Sequence, residues 1–274
     1  KIFKNNTNNN LLRYNLAVIQ QQLNFNEDAK KNYKYLIKVE KNIKAMINLY
    51  NIYIIESKYY EALKTIDRIL NIETIDNVEK DKAFVFYKLN RIEDSKKICS
   101  LYLKKNSKDI TVLNIIGQCF FSEGNYREAI KIFESVLESD SKNLSALNSL
   151  GRIYHEKRET VKAEKYYLKA LEIDKSSFYL LNNIAGFYRE ELNYDKAINY
   201  YKKAQSINPN NAYIYNNLSK IYFDLNNHKD AKKNSFRALE IKSDDGDIQK
   251  TLSFIYLKDH EFDKAWNYFE GRLD

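Results

Sequence analysis

Four asparagines recur at a constant step of 34 residues, at Asn114, Asn148, Asn182 and Asn216. An asparagine side chain carries N–H donors and a carbonyl acceptor, so a row of them can hold a peptide main chain whatever its side chains. Cations gather on the same helical stripe, because residues i, i+4 and i+7 superpose at helical period. Arg152 and His155 follow Asn148 on that stripe, Arg189 follows Asn182, and Lys220 follows Asn216. Tyr179 and Tyr213 stand just ahead of the last two asparagines. Guanidinium forks take carboxylate or phosphate oxygens bidentately, and tyrosine hydroxyls add donors. Together these residues define a candidate site for an acidic peptide or a C-terminal carboxylate. Alternatively, Arg152 and Arg189 pair with Glu156 and Glu190 and bind nothing, as exposed charges commonly do.

Reactive chemistry has no comparable pattern. His155, His228 and His260 fall at three different helix positions, and no pair has the i, i+4 spacing of a metal site. Asp244-Asp245-Gly246-Asp247 lacks the length and terminal Glu of an EF-hand loop and reads as a turn. Cys99 and Cys119 fall at positions facing neighbouring helices, which predicts buried, inert thiols. Phosphate-cradling glycine loops and nucleophile motifs are absent from the sequence. The expectation is a non-enzyme with no catalytic residue, no metal site and no cofactor.

The elements that must position the candidate site follow from the same step. Ala129, Ala163, Ala197, Ala231 and Ala265 keep it, as do Gly117 with Gly151, and Tyr154, Tyr188, Tyr222 and Tyr256. A fixed period in this range marks a solenoid, whose repeats bury their apolar faces only against their neighbours. Repeats start near Asn10, Ile43, Asp76, Ile110, Leu144, Phe178, Ala212 and Gly246 when the small residue of each first helix is set at position 8. Each contains two amphipathic stretches and a polar turn such as Ser122-Glu123-Gly124-Asn125. Small residues at Gly117, Gly151, Ala185 and Ser219 let paired helices approach, and Phe133, Tyr167 and Tyr201 fill the space between successive repeats. Asparagines at position 5 then face outward.

The pattern Leu150-Gly151-x-x-Tyr154…Ala163-x-x-x-Tyr167-x-x-Ala170 resembles the tetratricopeptide repeat, and Ile184-Ala185-x-x-Tyr188…Ala197-x-x-x-Tyr201-x-x-Ala204…Pro209 matches it with the terminal proline included. The resemblance runs from about Asn10 onward. Leu113, Leu147, Leu181 and Tyr215 replace the family's early tryptophan, and the repeat from Asp76 has Ser95 and Cys99 in place of alanine and an aromatic. What the resemblance implies is an all-α, right-handed α-solenoid of about seven to eight stacked antiparallel helix pairs. Residues 1–9 form a leader or partial helix, and 10–274 form the solenoid. First helices would line the concave face, where position 5 lies. Peptide-binding arms of the O-linked N-acetylglucosamine transferase kind carry a similar asparagine ladder. The two-carboxylate clamp of chaperone-binding repeat proteins is not reproduced.

Composition narrows the partner only a little. The net charge of +8 and pI near 9.1 favour acidic partners, although interleaved lysines such as Lys30, Lys31, Lys34, Lys38 and Lys41 read as a solvated outer face. Aromatic RNA-binding motifs and zinc knuckles are absent, so no nucleic-acid partner is expected. Two cysteines fit a reducing compartment, and no apolar run is long enough to insert into a membrane, so a cytoplasmic location is expected. The last repeat ends without a polar capping helix, which suggests self-association through that end or a chain that continues. Trp266-Asn267-Tyr268-Phe269-Glu270-Gly271-Arg272 resembles the ending of bacterial repeat arms that precede transferase domains. The expected function is a scaffold that binds a peptide or protein segment in its concave groove. The alternative is the substrate-recruiting arm of a larger, glycosyltransferase-like enzyme whose catalytic domain lies beyond residue 274.

Overall fold

The computed structural model describes residues 8–270, so Gly271 and Arg272 of the terminal motif, and most of the leader, lie outside the described residues. Among the described residues there are sixteen α-helices and no strand. They divide into two compact bodies that meet in sequence at Ser139 and Asp140. The N-terminal body holds α1 (Asn8–Gln22), α2 (Asn26–Glu40), α3 (Ile43–Ile55), α4 (Tyr59–Leu70), α5 (Asp76–Lys88), α6 (Ile92–Lys105), α7 (Ile110–Ser122) and α8 (Tyr126–Ser139). The C-terminal body holds α9 (Leu144–Glu156), α10 (Thr160–Ile173), α11 (Phe178–Glu190), α12 (Tyr194–Ile207), α13 (Ala212–Asp224), α14 (His228–Ile241), α15 (Gly246–Lys258) and α16 (Phe262–Glu270). Within each body consecutive helices pack in pairs, and the pairs pack on one another.

Local chemistry sets these boundaries. Asn42, Asp109, Asn143, Asn211 and Asp245 sit at the N-caps of odd-numbered helices, each with its side chain accepting from a backbone N–H of the first turn. Between the two helices of every pair the chain turns through one left-handed residue: Asn24, Ser57, Asn90, Gly124, Arg158, Leu192, Asn226 and His260. Only one of the eight is glycine, so the turn is held by its hydrogen bonds. Around Arg158, for example, Arg158 N donates to His155 O and Glu159 N to Tyr154 O at 2.9 and 2.8 Å.

The interior of each pair is a trade in volume. Ala29, Ala62, Ala129, Ala163, Ala197, Ala231 and Ala265 are buried where the even helix crosses its partner. A Cβ placed on Gly117 would lie 2.7 Å from the Phe133 ring, and one on Gly151 would lie 2.7 Å from Tyr167. Each glycine is therefore the socket for the ring of its own pair. Tyr167 also reaches the next pair, with its centroid 5.5 Å from Phe187. In the α13–α14 pair two serines replace the glycine and the ring. Ser219 Oγ donates to Ala231 O at 2.8 Å and lies 2.7 Å from Ser235 Oγ, so both buried hydroxyls are satisfied. Ser95 solves the same problem in α5–α6 by donating to Ala83 O and accepting from Cys119 Sγ.

One expectation about the surface is corrected. Lys30 is not part of a solvated face: it is 4% exposed, and its Nζ lies 2.6 Å from Glu27 and 2.8 Å from Glu56 on the following turn. The pairing with Glu56, which Lys58 also contacts at 2.8 Å, ties the α1–α2 pair to the α3–α4 pair. An inward lysine near a helix end looks like an outward one in sequence, because its stem is apolar and only the head needs a partner.

Candidate functional site

The expected stripe lies on the odd-numbered helices, and nine of its ten residues fall in the C-terminal body. Asn114, the tenth, is half-buried on α7 of the N-terminal body. In the C-terminal body five of the others, Asn148, His155, Arg189, Asn216 and Lys220, make side-chain contacts between odd-numbered helices. Asn183 Nδ2 of α11 donates to Asn148 Oδ1 of α9 at 2.9 Å. Arg189 Nη1 of α11 donates to Asn217 Oδ1 of α13 at 3.2 Å. Asn216 Nδ2 and Lys220 Nζ of α13 both donate to Asp247 Oδ2 of α15, each at 2.7 Å. His155 packs edge-on to Phe187 and points Nε2 at Glu190 Oε2, 3.3 Å away.

These contacts correct the outward asparagine ladder at one rung. Asn216 is 1% exposed, and its amide is used between helices. Asn148 is half-buried and already accepts from Asn183, while Asn182 is half-buried with no hydrogen bond to the described residues. The anticipated pair of Arg189 with Glu190 also rearranges: Glu190 faces His155, and Arg189 turns to Asn217 on α13. Arg152 is exposed on α9. Tyr179 is 79% exposed with its ring edge-on to Phe178, and Tyr213 is 51% exposed with its hydroxyl accepting from Lys242 at 2.8 Å.

A hollow of about 360 Å³ opens on this face, lined by Arg189, Lys220, Phe223, Asp224, Thr251 and Phe254. Phe223 and Phe254 hold in the following pair the stripe positions of Arg189 and Lys220, but hydrogen-bonding and charge patterns give no sign of them. Phe254 is 46% exposed. Asp247, at the stripe position occupied by Tyr179 and Tyr213 in the two preceding pairs, was likewise missed; its carboxylate draws on both Lys220 and Asn216. The hollow therefore offers one guanidinium, one ammonium already shared with Asp247, the Asp224 carboxylate, the edge of Thr251 and two aromatic faces. Such a surface can take a peptide group or an aromatic or apolar side chain flanked by an acid.

The remaining chemistry-bearing groups lie apart from the stripe. Cys99 and Cys119 are buried, and burial pushes the Cys99 thiol up to about 12 and raises the Cys119 thiol in the same way, away from the thiolate a nucleophile needs. Asp245 serves as the α15 N-cap, so the Asp244–Asp247 run is a turn. Among the described residues no three His, Cys, Asp or Glu side chains come together as a metal site would require, and no helix is long and apolar enough to cross a membrane.

Paired helices with small-residue crossings and a side-chain-lined face on one helix of each pair define a helical repeat scaffold. Models of the tetratricopeptide repeat match residues 110–176 and 188–233, so the chain carries tetratricopeptide repeats over these spans. Solved structures agree in fold. PilF of Pseudomonas aeruginosa is 21% identical with a TM-score of 0.56, over 61% of this chain and 77% of that one. A tetratricopeptide-repeat protein from Parabacteroides merdae is 15% identical with a TM-score of 0.62, over 84% of this chain and 91% of that one. The Cut9–Hcn1 hetero-tetramer of the APC/C gives 14% identity and a TM-score of 0.64, over 90% of this chain and 56% of the other. Likeness at these identities concerns architecture alone. Among curated proteins no sequence matches. The repeats make the chain a protein-interaction scaffold in the general sense of its family.

Proposed function

We propose that the odd-numbered helices of the C-terminal body hold a peptide or protein segment, which lies across α9, α11, α13 and α15. The observation that carries this reading is the hollow lined by Arg189, Lys220, Phe223 and Phe254, with Tyr179 and Tyr213 exposed on the same stripe. An aromatic or apolar side chain of the segment fills the hollow, and Arg152 and Arg189 meet its acidic groups. Asn182, with its amide uncommitted, is the rung that remains to bond a passing main chain. Asn148 and Asn216 act by fixing neighbouring helices. Acidity in the ligand contributes less than the raw count of cations suggests, because Asp247 already draws on Lys220.

The test begins with selection from a displayed peptide library against the whole protein. Affinity of an enriched peptide is then measured for an Arg152→Ala, Arg189→Ala, Lys220→Ala triple variant and for Phe223→Ala with Phe254→Ala. At least tenfold weakening in both variants is expected. Unchanged affinity in both, or no enrichment by the parent, overturns the proposal.

A second reading, the substrate-recruiting arm of a transferase, draws on the exposed face of α16, where Trp266 and Phe269 stack with centroids 5.7 Å apart. The reading frame after Asp274 decides it: a stop codon there removes this possibility. If the same face instead joins two copies, sedimentation will show mass that rises with concentration and falls for Trp266→Asp.

A further inference from the structure

Four cations with no ion pair to the described residues gather on the even-numbered helices of the N-terminal body. A groove of about 470 Å³ runs between α2 and α4, within the ~300–1,000 Å³ range of ligand pockets. Its walls carry Lys34 and Lys38 on α2, and Lys64 and Arg68 on α4. Within each wall the two cations are four residues, one helical turn, apart. Lys38, Lys64 and Arg68 form no ion pair or hydrogen bond with the described residues, and Lys34 makes only a distant contact over the Tyr53 ring, 5.9 Å from its centroid. Glu61 is the one acid among the lining residues. Below them the floor is apolar, formed by the remaining exposed edges of Ile37, Leu49 and Tyr53.

This arrangement differs from an ordinary solvated lysine face in two respects. At Lys30, Lys96, Lys220 and Lys232 the protein pairs a cation closely with an acid, and lysines such as Lys165 and Lys169 stand unpaired on an exposed helix face, whereas here four cations surround an apolar trough against one carboxylate. A related lining recurs: between α4 and α6 a second groove of about 450 Å³ sets Lys104, Lys105 and Lys82, the last paired with Asp67 at 2.7 Å, against Glu79 over Leu70, Ile98 and Leu101. Nucleic acid would need the cations but gain little from the trough. An extended acidic strand would place successive carboxylates on opposite sides. A helix places carboxylates i and i+4 about 5–6 Å apart on one flank, the spacing of cations one turn apart on each wall, and lays an apolar stripe between its flanks.

We propose that the α2–α4 groove binds an amphipathic helix of a partner protein, apolar along one stripe and acidic on both flanks. The apolar stripe fills the trough and the flanking carboxylates meet Lys34 and Lys38 on one side and Lys64 and Arg68 on the other, a helix-in-groove mode of recognition. It is separate from the surface proposed for the C-terminal body, and neither requires the other.

Fluorescence anisotropy on the whole protein tests it with a labelled helical peptide of leucine and glutamate, its leucines at i, i+3, i+4 and i+7. A scrambled peptide of the same composition isolates the contribution of the stripe, and a single-stranded oligonucleotide isolates that of charge. Lys38→Glu, Lys64→Glu and Arg68→Glu together reverse exposed charges only, and thermal unfolding confirms that the variant folds. A control carries Lys165→Glu, Lys169→Glu and Lys175→Glu, the same change in net charge on exposed residues of the C-terminal body. Binding should weaken at least tenfold in the first variant and less than twofold in the control, while Arg189→Ala with Lys220→Ala leaves it unchanged. Equal weakening in variant and control, equal affinity for the scrambled peptide, tighter binding of the oligonucleotide, or no binding by the parent would each overturn the proposal.

Discussion

The same chemical change should have opposite signs at two glycines of successive repeats. At Gly151 in α9, an added Cβ would meet Cδ1 and Cε1 of Tyr167 at 2.7 Å and Cγ at 3.0 Å. The atoms in the way include the root of the ring, so rotation about the terminal bond cannot clear them. The ring is buried and backed by Phe187, which leaves little room to retreat. Overpacking of this kind costs about 1–3 kcal/mol, and the upper part of that range applies to a ring confined on both sides. Replacing a mid-helix glycine by alanine returns about 1 kcal/mol of helix propensity. Gly151→Ala is therefore expected to lose about 1–2 kcal/mol net. At Gly186 in α11 the nearest atom to an added Cβ is the Tyr201 hydroxyl at 3.7 Å, an ordinary contact, so only the propensity term acts. Gly186→Ala should gain up to about 1 kcal/mol. Both residues belong to the C-terminal body, so circular dichroism during thermal or urea unfolding compares them in one setting. At about 2–4 °C per kcal/mol, the two variants should differ in midpoint by roughly 5–10 °C. Tyr167→Leu in the Gly151→Ala background should recover part of the loss. Shifts of the same sign for the two glycines, or no recovery in the double variant, would refute the reasoning.

The volume trade predicts that Ser235→Tyr in α14 will destabilise by about 1–3 kcal/mol alone, and that adding Ser219→Gly will recover most of it; chemical denaturation of the single and double variants checks this. Leu192 holds φ at 58° while 70% exposed, so Leu192→Gly should raise stability by about 1 kcal/mol, read as an upward shift of the urea midpoint. Two carboxylates should show opposite pH dependence. Lys242 and the first-turn N–H groups of α15 hold Asp245 below its usual value, so it stabilises the fold above about pH 4 and loses that contribution as pH falls through its lowered pKa. Asp245→Asn keeps the cap and should lose about 0.5–1 kcal/mol at neutral pH, with the loss vanishing in acid. Burial raises Asp81 despite the Tyr50 hydroxyl bond, so its charged form destabilises at neutral pH. Asp81→Asn should then be stabilising at neutral pH, with the gain shrinking as pH falls through the raised value towards about 4. Thermal midpoints measured across pH for both variants would expose a wrong sign in either.

Architecture was legible in the sequence because a stacked helix pair imposes its own period on residue size. Small residues must recur where helices cross, and rings must recur where they cover those crossings, so Gly117, Gly151 and the alanine series carry the fold in plain view. Ser95 and Ser219 break the pattern of residue types without breaking the fold, since a buried hydroxyl can return its hydrogen bond to a backbone carbonyl of the same pair. Lys30 was misread for a related reason: burial of a lysine depends on an acid twenty-six residues away, and periodicity within one helix carries no trace of that acid.

The candidate site shows the same limit more sharply. Helical spacing puts Arg152, Arg189 and Lys220 at stripe positions, because that depends on residues within each helix. What each group does there depends on the next helix, where Asp247 claims Asn216 and Lys220, and Asn217 claims Arg189. A polar group in a repeat is thus offered to a neighbouring repeat before it is offered to a ligand. The groups left over deserve more weight than the groups in register: Asn182 and the rings of Tyr179, Phe223 and Phe254 on the odd helices, and Lys38, Lys64 and Arg68 on the even ones. Register reports what holds the repeats together, and departures from mutual satisfaction report where a partner can add free energy. A scan of alanine substitutions along both faces separates these roles, since a group spent between repeats shifts the unfolding midpoint, and an uncommitted one shifts ligand affinity alone.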